Sequence, residues 1–103
     1  MDQVFKALAD QSRRSLLNAL RHHDGQTLSD LCLNMDMSRQ AVSKHLNILI
    51  DANLIVPLKE GRFKKHYLNP IPIQQIADRW IDEFRSTQVN AIIHLKGSLK
   101  NPS

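Results

Sequence analysis

The chain changes period at Leu54. Before that point its apolar residues recur at helical spacing. After it, "LIVPLKEGRFKKHYLN" reads as two short extended runs around "KEGR", with Gly61 at the tip of a hairpin. A series of short helices that gives way to one hairpin restricts the fold to a helical body carrying a β-wing. Pro57 lacks the amide proton a central strand needs, so the first run is expected at an edge or with an irregular start.

Upstream of the switch, the caps divide the helices. A first helix runs over about 2–9, with Val4, Phe5 and Leu8 on one face. Asp10 and Ser12 interrupt it and can cap a second helix holding Leu16, Leu17 and Leu20, which ends near "HHDG", where Gly25 suits a turn. Thr27 caps a third helix with Leu28, Leu31, Cys32 and Met35, "MDM" turns the chain, and Ser38 caps a fourth that reaches about Ala52. Beyond the hairpin, "NPIP" breaks the chain, and a long helix starts at Ile73. Its apolar positions include Ile76, Ala77, Trp80, Ile81, Phe84, Ile92, Leu95 and Leu99, and its polar middle, "RSTQVN", is a place to kink or fray. The fold expected is mainly α with a β-wing, a winged helix-turn-helix. It has four helices, a hairpin and a long C-terminal helix in one domain spanning 1–103.

In that order the fourth helix, residues 39–51, is the one a helix-turn-helix places in the major groove of DNA. Val42, Leu46, Leu49 and Ile50 face a core. Gln40, Ser43, Lys44 and Asn47 fall at i, i+3, i+4 and i+7 and form a single outward stripe. Glutamine can pair with an adenine edge, serine can donate or accept, and lysine can reach guanine or phosphate. Ser38 and Arg39 sit at the helix start, where backbone phosphate is favoured, and His45 is a packing or phosphate-contact candidate. An ordinary solvated helix face would carry similar residues; the neighbouring elements decide for DNA. In the wing, Lys59, Arg62, Lys64 and Lys65 cluster against one Glu60 and can follow phosphates or enter a minor groove. The same charges would also protect an edge strand from aggregation.

Bulk properties fit this reading. The chain has 103 residues, a formal charge of +4 and a sequence pI of about 9.6, a balance that favours a polyanionic partner. Apolar residues make up 42% and aromatic residues 5%, enough for a core built on Leu, Ile, Val and Ala. No apolar run approaches the length of a membrane span and no export signal opens the chain. A lone cysteine cannot form an internal disulfide. These point to the cytoplasm and to no membrane partner. No nucleophile elbow, phosphate loop or metal signature suggests an enzyme, and no cofactor is expected.

Three stretches together resemble the ArsR/SmtB family of small winged-helix repressors: "FKALADQSRRSLLNAL", "MSRQAVSKHLNIL" and "ANLIVPLKEGRFKKHYLN". The likeness is good over residues 4–68 and looser over the last helix. Gln11 stands where the family usually has proline. Asn53 stands where it usually has glycine, and asparagine tolerates the left-handed backbone such a glycine supplies. The resemblance implies a homodimeric repressor that binds an operator in double-stranded DNA. Metal-sensing relatives carry Cys-x-Cys on the third helix; here Cys32 is kept but Asn34 takes the second place. Where the family's other site has a histidine ligand, this chain has Trp80, and His94 has no clear partner. The resemblance is therefore to the metal-independent branch, and no metal site is expected.

His22 and His23 suit a helix C-terminus, His66 is expected exposed in the wing, and Cys32 reads as a buried thiol. A redox-responsive repressor acting through Cys32, or a winged helix turned protein-interaction module, are the alternatives. The last helix is long for the body it serves. Residues 1–9 and 73–99 are expected to dimerise through Val4, Phe5, Leu8, Trp80, Ile81, Phe84, Ile92 and Leu95, with 28–51 as the helix-turn-helix and 54–68 as the wing. A two-fold dimer would set two reading helices about one DNA turn apart on an inverted repeat. The inducer is not legible.

Overall fold

The computed structural model describes residues 2–99, with side-chain surroundings for residues 2–85. Among the described residues, five helices and one hairpin follow in order: α1 (Asp2–Leu8), α2 (Gln11–His22), α3 (Leu28–Leu33), α4 (Arg39–Asp51), β1 (Ile55–Glu60), β2 (Phe63–Leu68) and α5 (Ile71–Leu99). They fall into two compact units, one ending at Ile73 and one starting at Gln74. Among the described residues, no helix is long and apolar enough to cross a membrane.

Caps set the helix starts. Asp10, rather than Ser12, accepts from the Arg13 amide at 3.1 Å and starts α2. Thr27 and Asp30 form a reciprocal capping box at the head of α3, each bond 3.1 Å. Ser38 accepts from the Ala41 amide at 3.1 Å and starts α4. Those caps aim the apolar faces inward. Leu16, Leu17 and Leu20 from α2, Leu31 from α3, and Val42, Leu46 and Leu49 from α4 meet Ala7 of α1, with Ala52, Leu54 and Ile55 closing the core. Ile50, expected to be buried, is only half-buried and packs against the core from its margin. Val4 and Leu8 pack on this same core, while Phe5 is exposed.

Asn53 makes the bend from α4 into the wing with φ of 62°, the left-handed conformation asparagine tolerates. β1 and β2 pair antiparallel, from Ile55 opposite Leu68 to Glu60 opposite Phe63. The tip is the two residues Gly61 and Arg62. Gly61, with φ of 64°, stands at the first central position, where a type II′ turn needs glycine. Pro57 lies in the outer strand, where its missing amide proton costs no ladder bond.

The inner strand is not free on its other side. His66 bridges to Gln26: its amide donates to the Gln26 carbonyl at 2.8 Å, and the Gly25 amide donates to the His66 carbonyl at 3.0 Å. His66, expected exposed, is therefore buried, at 3% exposure. Its Nδ1 also meets the Gln26 carbonyl, at 2.9 Å. Burial holds the imidazole pKa below its ordinary value, although the hydrogen bond to Gln26 acts the other way. Asn69 closes the hairpin base by donating its amide to Leu54 and its side-chain Nδ2 to Asn53, at 2.9 and 2.8 Å.

α5 starts at Ile71, two residues earlier than expected, because Pro72 lies in the first turn, where no amide proton is needed. It is one continuous helix to Leu99, through the "RSTQVN" stretch where kinking or fraying is expected. Trp80, Ile81 and Phe84 are exposed on it, at 50%, 47% and 56%, and the Trp80 and Phe84 rings pack 5.8 Å apart. The side chains of Ile92, His94 and Leu95 lie outside the described residues.

Candidate nucleic-acid interface

α4 buries one face through Val42, Leu46 and Leu49, and this fixes what its opposite face presents. Arg39, Gln40, Ser43, Lys44 and Asn47 line one open groove together with Leu28, Ile48 and Asp51. The stripe expected from spacing is thus assembled. Gln40, Lys44 and Asn47 are exposed and Ser43 is half-buried. Arg39 is not a loose cation: its Nη1 donates to Ser29 Oγ at 3.1 Å, which ties the first turn of α4 to α3. Ser38 spends its hydroxyl on the cap.

Three lining residues escaped the sequence reading. Leu28 and Ile48 supply apolar walls, and Asp51 places a carboxylate at the far end. Asp51 continues the stripe at i+4 from Asn47 and i+7 from Lys44, so its spacing was the available signal.

His45 stands apart from this stripe. It is half-buried and faces α2, with Nδ1 3.2 Å from Arg13 Nη1 and 3.9 Å from Asp10 Oδ1. Asp10 itself is held below the usual carboxylate range, first by the Arg13 amide it caps and further by the Arg13 charge.

The wing cations do not share a face. Register sets Lys59 opposite Lys64, and Arg62 joins them with Pro57 around one hollow. Lys65 stands opposite Leu58, on the other face, with its Nζ 3.9 Å from Glu60. Glu60 also accepts from the Tyr67 hydroxyl, which holds that phenol above its ordinary pKa. The cluster of four thus resolves into a basic face of three and one lysine beside a carboxylate. The Lys65 face also exposes Val56, Leu58 and Phe63. Like charges placed directly opposite, as Lys59 and Lys64 are, repel in an isolated hairpin, and a polyanion relieves that repulsion.

Among the described residues, no group of three or more His, Cys, Asp or Glu side chains could hold a metal ion. Cys32 is a free, half-buried thiol against the core.

A helix-turn-helix domain family matches residues 8–57. The transcriptional repressor SdpR of Bacillus subtilis is 36% identical over 74 residues, covering 72% of this chain and 81% of that protein. The arsenical resistance operon repressor of Escherichia coli is 33% identical over 81 residues, covering 79% and 68%. An ArsR-like transcriptional regulator from Rhodococcus sp. RHA1 superposes with a TM-score of 0.78 at 29% identity, over 93% of this chain and 89% of that one. A capped helix-turn-helix, a hairpin wing and these likenesses agree, and the chain belongs to the ArsR family of winged helix-turn-helix transcriptional regulators.

Proposed function

We propose that the protein is a homodimeric repressor that reads an inverted-repeat DNA operator with α4, steadies itself with the basic face of the wing, and occludes a promoter. One observation carries the reading: Arg39, Gln40, Ser43, Lys44 and Asn47 share a single open groove on one helix. In that groove Gln40, Ser43, Lys44 and Asn47 are the base readers, and Ser38 and Arg39 lie at the backbone. Lys59, Arg62 and Lys64 neutralise phosphate, with Lys65 a lesser contributor.

The unit up to Ile73 reads DNA, and the helix from Gln74 joins two copies. Trp80, Ile81 and Phe84 support the second role, because contiguous exposed apolar side chains of this size favour a partner. Phe5 is the exposed apolar side chain of α1 proposed for the same seam, since Val4 and Leu8 pack on the core. Ile92 and Leu95 complete the proposed seam by sequence alone.

Regulation does not run through a metal at Cys32. A single thiol with Asn34 in the neighbouring ligand position offers too few soft donors. Selection of bound sequences from a random DNA pool tests the whole reading. Recovery of an inverted repeat is the expected result. Recovery of no sequence preference would overturn base reading and favour a protein-interaction module.

A further inference from the structure

Apolar packing holds α4 through Val42, Leu46 and Leu49. Such packing is non-directional and permits small rotations of the helix about its axis. A side-chain tip about 6 Å from the axis moves by about 1 Å for a rotation of about 10°. Hydrogen bonds to base edges are confined to a donor–acceptor range of about half an ångström, so a rotation of that size breaks them. Directional contacts must therefore set the helix: the Arg39 bond to Ser29 at its first turn, and a positioning residue that reaches its middle.

The geometry points to Arg13 as that positioning residue. Its guanidinium fixes the rotational setting of α4 through His45, and it anchors that setting to the C-terminal end of α1. Arg13 is a fork with every prong engaged. Nε donates to the Ala7 carbonyl at 2.8 Å and Nη2 to the Lys6 carbonyl at 3.0 Å, at the C-terminal end of α1, where the Lys6 carbonyl also accepts from the Ala9 amide at 3.3 Å. Nη1 donates to His45 Nδ1 at 3.2 Å. Asp10 holds the Arg13 backbone amide from the α2 cap and keeps the fork in place. A ring nitrogen can accept from a guanidinium only when it carries no proton, so the contact requires His45 to hold its proton on Nε2. His45 directly follows Ser43 and Lys44 and lies two residues before Asn47, so whatever fixes its ring fixes the aim of the reading stripe. Two planar groups joined in this way define an orientation that a lysine at position 13 cannot reproduce.

This inference rests on the reading that α4 contacts bases, and the test separates the two. The operator recovered from the random pool, its single-base variants and an unrelated duplex are titrated at fixed salt with the parent, His45→Leu, His45→Asn, Arg13→Lys and the double variant Arg13→Lys/His45→Leu. Thermal melting establishes that each is folded. Asparagine can set its side-chain oxygen near the place of Nδ1, so His45→Asn is the conservative rescue. His45→Leu is expected to bind unrelated DNA like the parent but to lose about fivefold or more of its discrimination among single-base variants. His45→Asn should keep discrimination within about twofold. The double variant should lose no more than either single change, because one contact is broken in all three. Undiminished discrimination in His45→Leu would overturn the proposal, as would additive losses in the double variant. An equal loss by leucine and asparagine on every duplex would also overturn it, by making His45 itself a DNA contact. If the parent selects no sequence, the base-reading role fails first, before any variant is compared.

Discussion

His66 and Gly25 show what a single residue does in this fold. Burial disfavours the charged form of His66 and lowers its pKa in the folded protein. In the unfolded chain the same ring titrates near its ordinary value of about 6.5. As pH falls below that value the unfolded state takes up the proton first, so stability is full above about 6.5 and declines until the lowered folded pKa is reached. His66→Asn can keep a donor toward the Gln26 carbonyl without a titrating group. Denaturant melts at pH 7 and pH 5.5 should show a smaller loss for the variant than for the parent; equal losses would mean the ring is not the group responsible. Gly25 has φ of 75°, and a Cβ there would meet the Tyr67 ring at 3.0 Å. Gly25→Ala should cost at least about 1–2 kcal/mol, measured by the same melts. The turn at Gly25 was legible in the sequence, and so was the left-handed role of Asn53. The burial of His66 was not, because its partner is Gln26, 40 residues away, and no local pattern announces a pairing at that distance.

Among the elements, the wing shows how register divides a charge cluster. Four cations within seven positions look like one patch in the sequence. Alternation about the Gly61–Arg62 tip sends Lys59 and Lys64 to one face and Lys65 to the other, where Glu60 stands beside it. An exposed pair of this kind is worth little to stability, but it leaves Lys65 less charge to offer a phosphate. Lys64→Ala should therefore lower the slope of log affinity against log salt by about 0.9, the share of one phosphate contact. Lys65→Ala should change it by less than half of that amount. Equal effects would place both lysines at the backbone. This division was within reach of the sequence once the tip was fixed, since period 2 determines the faces. α4 was legible for the same reason: its cap and 3.6 period gave both the buried and the presented side. A packing role for His45 was among the readings; its partner was not legible, since Arg13 is 32 residues away.

For the whole molecule, assembly and signalling follow from what the chain leaves uncovered and what it lacks. Phe84→Asp or Ile81→Asp puts a carboxylate into the proposed apolar seam, which is costly to bury unpaired. Sedimentation should show monomers and weakened operator binding; a variant that stays dimeric would place the interface elsewhere. Zinc, cadmium or arsenite at stoichiometric levels should leave the protein on its DNA, as band-shift titration would show; release would return Cys32 to a sensing role. The length of α5 and its aromatic pair were legible from periodicity, but its unbroken course through "RSTQVN" was not, because polar residues on a helix do not by themselves interrupt it. The bridge between Gln26 and His66 has a further consequence, on the axis of time. It stitches the wing to the α2–α3 connection by backbone bonds in both directions. The amide protons of Gly25 and His66 should then be released to deuterated solvent only when the whole body opens, while those of the tip at Gly61 and Arg62 are released by local fraying. The wing would meet DNA as a rigid lever hinged nowhere along its inner strand, with motion confined to its last few residues.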